Sequence, residues 1–132
     1  MEHGEQPNAI LPSFWLGFSC TKNEQLSKEM LAVMLRCTAN GVRKMLTARG
    51  VTSVAAEGFG APGVVVSYTD DPEIQSGRKF AAEGMQIAAG VPLQVGEPEG
   101  FRTFRLGLFG LDKLYDVDGA LGRLERVLDR VL

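Results

Sequence analysis

Histidine is almost absent from this sequence: the single one, His3, stands near the start of a 132-residue chain. Ser/His/Asp or Cys/His catalysis needs an imidazole held by an ordered scaffold, and residues close to a terminus rarely provide one. Cysteine is nearly as scarce. Cys20 and Cys37 are too few for a disulfide framework. The opening MEHGEQPN has no basic region of the kind that begins a secretion signal. Both cysteines are therefore expected to be reduced, buried thiols of a cytoplasmic protein. There is no CxxC, HxH or HExxH, so metal-ligand spacing is missing as well. No apolar run approaches the roughly 18 residues of a membrane-spanning helix. Charge of one sign is not in excess either. The 14 Lys and Arg against 16 Asp and Glu leave a net charge of −2, which speaks against a nucleic-acid partner.

What remains is the composition of one ordinary folded domain, 45% hydrophobic and 23% charged. Residues 1–22 read as an irregular lead-in, in which Pro7 and Pro12 interrupt regular structure. The lead-in ends in an apolar cluster, Phe14, Trp15, Leu16 and Phe18, which either docks on the domain or seeks a partner. Residues 23–132 read as a single domain.

Its first element is a helix over residues 24–49, capped by Asn23. Leu31, Leu35, Thr38, Val42 and Met45 share one face. Arg43, Lys44 and Arg49 lie in its last turns, where cations complement the helix dipole, and Gly50 is the left-handed terminator. A strand begins over Val51–Ala56, and a stronger one is predicted over Gly63–Thr69. Between them, EGFGAPG at residues 57–63 is a loop. A phosphate-loop reading of it fails, because neither Lys-Ser/Thr nor a helix comes after it.

Asp70-Asp71-Pro72 opens a second helix, with Ile74, Gly77, Phe80 and Ala81 facing inward and Gly84 ending it. The two aspartates are read as a helix cap rather than as a metal or acid/base pair. A short strand, Met85–Ala88, and a Gly/Pro-rich connection lead to FRTFRLGLF at residues 101–109. There, alternation puts Phe104, Leu106 and Leu108 on a core face and Phe101, Thr103, Arg105, Gly107 and Phe109 on the other. A final helix, capped by Asp116 or Asp118, carries the stripe Val117, Leu121, Leu124, Leu128 and Val131. The fold class expected from this order is α+β: a small, mostly antiparallel sheet with helices packed on one face.

Arg105 stands out. It lies mid-strand on the less apolar face, with Gly107 leaving space beside it. A guanidinium so placed suits a carboxylate, which it can hold by two parallel hydrogen bonds. A salt bridge to a nearby Asp or Glu is an equally good account at this level.

Phe80–Gly110, with FAAEGMQIAAGVPLQ followed by TFRLGLFGLDK, resembles the C-terminal small domain of class V, fold type I, pyridoxal-phosphate aminotransferases, in particular the alanine/serine–glyoxylate group. Those enzymes carry a strand of the form R-[IL]-G-L-x-G before a capped C-terminal helix, and Arg105–Gly110 fits it. The resemblance covers about residues 42–132. It implies that Arg105 binds the substrate α-carboxylate. It also implies an amino-acid or oxo-acid substrate, and pyridoxal phosphate as the cofactor of the full-length enzyme. Family members are about three times longer, as multi-domain enzymes are. Their large domain carries the Schiff-base lysine, which this chain does not show in recognisable form. Lys22, in Ser19-Cys20-Thr21-Lys22, misses the family's Ser-x-Lys by one position. The chain is thus expected to hold no cofactor of its own and not to transaminate alone. Its partner would be a missing large domain or a second copy of itself. The alternative is a non-enzymatic remnant, or a self-associating module of the same fold.

Overall fold

Apolar residues recurring at helical spacing near the C-terminus have to be buried together, and their position organises the domain. In the computed structural model, which describes residues 28–132, the chain runs α1 (Lys28–Ala48), β1 (Val64–Tyr68), α2 (Pro72–Gln75), α3 (Arg78–Ala82), β2 (Ala88–Ala89), β3 (Thr103–Gly107), α4 (Leu111–Tyr115) and α5 (Val117–Val131). The strands form an antiparallel sheet in the order β1-β3-β2, so β3 is central. The fold is α+β, as expected from the sequence. Asn23, Cys20, Lys22, His3 and the Phe14, Trp15, Leu16 and Phe18 cluster lie outside the described residues.

The predicted stripe on α5 is buried at all five positions, and Val127 joins it. It packs with Val42, Met45 and Leu46 of α1 in one core cluster. Phe104 and Leu106 of β3 and Leu108 just after it enter this core, together with Val65 of β1. The register pairs Val65 with Leu106 and Ser67 with Phe104, so the buried side chains of both strands lie on one face. Phe104 and Phe80 are fully buried, with ring centroids 5.8 Å apart. On α1, Thr38, Val42 and Met45 are buried as expected, while Leu31 and Leu35 are only partly so. Cys37 is buried among them, and desolvation pushes its thiol pKa up.

Several expectations are corrected. The Val51–Ala56 strand shrinks to a single bridge, Ser53 to Ser67, because the chain turns away at Ala56, whose carbonyl accepts from Phe59 N–H. The Met85–Ala88 strand forms further on, at Ala88–Ala89. The helix after Asp71 is two short pieces. Asp71 does cap the first, accepting from Glu73 N–H at 2.8 Å, with Pro72 in the first turn. The helix then breaks at Gly77, whose φ of 82° is left-handed. On one straight helix Ile74 and Ala81 would share a face, while Phe80 would lie about 120° away. The break instead turns both Ile74 and Phe80 inward and leaves Ala81 exposed. Arg43 does not serve the end of α1. It reaches across to Ala61 O at 2.7 Å, and Arg49 alone bonds a late carbonyl of the helix, Met45 O at 3.0 Å.

Thr103 is buried although it lies on the face opposite Phe104. The backbone of Gly90 covers it so closely that a Cβ at position 90 would stand 1.6 Å from Thr103 O. No rotamer change relieves a clash with backbone. Gly90→Ala is therefore expected to destabilise the domain by about 3 kcal/mol, the upper end of ordinary overpacking, in chemical denaturation.

The Asp71 carboxyl is held below its ordinary pKa, first by its hydrogen bond with Lys79 and then by the Glu73 amide. A lowered carboxylate pKa contributes stability that is present above the unfolded value and lost as pH falls through the folded one. Denaturation of the wild type and of Asp71→Asn should therefore differ at neutral pH and converge below about pH 4.

Candidate functional site

The packing that buries Phe104, Leu106 and Leu108 forces the intervening residues of β3 to the opposite face. No described helix covers Arg105 there, and it remains partly exposed. Its cross-strand partners are Val66 on β1 and Ala88 on β2, so its neighbours across the sheet are a short branched side chain and a methyl group. Two residues on, Gly107 faces open space: a Cβ built there meets nothing within 4 Å.

One donor of the guanidinium is used. Arg105 Nε donates to Ala89 O at 3.0 Å, which fixes the side chain against the edge strand. Both terminal nitrogens remain, and among the described residues no Asp or Glu forms an ion pair with them. The arrangement is an oriented guanidinium on a nearly smooth surface, with two parallel donors available to a planar acceptor. Around it lie exposed aromatic groups. Tyr68 packs edge-on against Phe101 with centroids 5.7 Å apart, and Phe109 is 70% exposed.

Strand alternation in the sequence puts Arg105 on this face. Not legible in the sequence is a cleft of about 790 Å³ between α1 and residues 53–62, lined by Arg36, Arg43, Lys44 and Gly58 among others. Only a tertiary contact between helix and loop creates it. Arg43 is partly buried there, and desolvation lowers its pKa. A second pocket of about 190 Å³ lies between β3 and the helices, lined mainly by core residues such as Val42, Leu106 and Leu121. Among the described residues no group of three His, Cys, Asp or Glu side chains could hold a metal ion, and no helix is long and apolar enough to cross a membrane.

The described residues include four lysines, Lys28, Lys44, Lys79 and Lys113. Lys79 pairs with Asp71, Lys113 Nζ donates to Phe109 O at 3.0 Å, and Lys28 and Lys44 belong to α1. No protein-family model matches the chain, and no curated protein matches it.

Arg105 makes one exposed hydrogen bond and contributes nothing to the core. Arg105→Ala is expected to change unfolding free energy by no more than about 1 kcal/mol, measured by urea denaturation.

Proposed function

We propose that this chain is the substrate-carboxylate-binding small domain of a class V pyridoxal-phosphate aminotransferase, acting on amino acids and oxo acids such as glyoxylate. It is not competent to transaminate without a large domain that carries the Schiff-base lysine. The observation that carries this reading is Arg105: mid-sheet, tethered through Nε, with no acidic partner among the described residues and open space beside Gly107. A structural arginine of a central strand would be expected to meet a carboxylate of its own chain. The R-L-G-L-F-G sequence at residues 105–110 resembles the strand of that family and supports the reading. In the complete enzyme the open sheet face would meet the large domain across the substrate, and the exposed Phe109 and Tyr68 suit such a contact. The same exposed aromatic groups favour the alternative, self-association of two copies in a module without catalysis. In either form we place the protein in the cytoplasm.

The test is an NMR titration with L-alanine, L-serine and glyoxylate, read at the backbone amides of residues 103–109, which are present in wild type and variant alike. Saturable shifts are expected, weak because only half of the site is present, and lost in Arg105→Lys, whose ammonium cannot make the two parallel bonds. Absence of any response in the wild type would refute the assignment. Incubation with pyridoxal phosphate and then borohydride reduction should give no stoichiometric lysine adduct, as read by intact mass. Sedimentation separates the alternative: a dimer broken by Phe109→Ser, with no carboxylate response, would favour the self-associating module.

A further inference from the structure

The cleft between α1 and residues 53–62 has no part in carboxylate binding at Arg105 and shares no residue with that site's surroundings. Arg43 and Lys44 follow Arg36 on α1 by seven and eight residues, about two turns, or roughly 10 Å, along the helix, and all three line the cleft. Asn40 and Thr47 also line it.

Among the described residues none of these three cations forms an ion pair. Arg49, Lys79, Arg123 and Arg130 each have an acidic partner. Among the described residues Arg36, Arg43 and Lys44 have none, although Glu57 lies in the same lining. The cluster is a local feature, since the chain as a whole carries −2. Arg43 is held in place rather than left free. It donates to Ala61 O at 2.7 Å and Val64 O at 3.4 Å, and a Cβ at Gly60 would lie 2.5 Å from its guanidinium carbon. Its Nε is buried and has no partner among the described residues. Clamping a cation with neutral carbonyls fixes its position and leaves its charge uncompensated.

The opposite wall is small and rich in backbone. Ala55, Ala56, Gly58, Gly60 and Pro62 put few side-chain atoms in the way of a ligand. The amides of Gly58 and Gly60 donate to no described residue. Backbone amides without a protein partner can supply donors to the oxygens of phosphate groups. Two turns of helix can serve several anionic oxygens at once, whereas a single carboxylate occupies one guanidinium.

We propose that this cleft binds a small phosphate-bearing molecule, its oxygens held between Arg36 and Lys44 on α1 and the backbone of residues 58–60, with Arg43 as the fixed charge between them. The loop lacks the features of a nucleotide-binding phosphate loop, so the charge has to come from the helix across the cleft. The site does not depend on the aminotransferase reading.

The experiment is titration of the full chain with inorganic pyrophosphate at low ionic strength, read by calorimetry and amide NMR. Saturable shifts are expected in residues 36–47 and 55–60 and not at Arg105. The double variant Arg36→Gln/Lys44→Gln should weaken binding by at least about tenfold, the loss of one or two charge-assisted contacts. Both side chains are exposed, so the thermal melt of the variant should match that of the wild type. No saturable response, unchanged affinity in the double variant, or equal affinity for citrate would overturn the proposal. So would binding of an acidic peptide in place of pyrophosphate, which would make the cleft a protein contact.

Discussion

Strand β3 is hydrogen-bonded on both sides, and one of its faces is sealed against α1 and α5 by Phe104, Leu106 and Leu108. The rest of the domain is arranged around that burial. A strand cannot rotate one side chain independently of the next, so committing these three to the core turns Arg105 and Gly107 outward. A slip of one residue would bury the guanidinium and expose Phe104. Burying an unpaired guanidinium is costly, and removing a fully buried Phe from the core costs about 3–5 kcal/mol. The orientation of the candidate substrate arginine is thus a by-product of core formation, held by far more free energy than its own single hydrogen bond could contribute.

The same core explains the short helices before β2. Ile74 and Phe80 both have to reach it, and a continuous helix would point them in different directions. Gly77 adopts the left-handed conformation that allows the chain to turn between them, and it is itself buried beside Ile87. Gly90 then brings the connection after β2 against Thr103, which seals part of the sheet face opposite the helices. Arg105 lies just beyond this seal, where the carbonyl of Ala89 tethers it. Core and site therefore meet along β2, the shortest strand. Its exposed alanines leave room that larger residues would fill.

The two basic features of the surface differ in how they are built. Arg105 is single, carried by a strand and aimed at an open face. The α1 cluster is a row on a helix, facing a loop that is drawn close by Arg43 bonding to Ala61 and Val64. The first suits one planar acceptor held by two bonds, and the second suits a more highly charged ligand.

The range of each interaction decides how much of this was legible in the sequence. The α5 stripe, the two faces of β3 and the Asp71–Pro72 helix start are local patterns with periods of 3.6 and 2, or a cap within two residues, and the structure has them where the sequence places them. Arg105 was legible for the same reason, since alternation on a strand needs no knowledge of the partner. The break at Gly77, the loss of a strand at residues 51–56 and the departure of Arg43 from the helix end were not legible. Each depends on where a distant segment lies: the core that draws in both Ile74 and Phe80, the point at which the chain turns away from β1, and the loop carbonyls that Arg43 meets 18 and 21 residues away. Sequence by itself determined which residues seek burial and which face of each element they occupy. Only the tertiary structure decided which charges have partners, because ion pairing depends on separation in space, which periodicity along the chain does not encode.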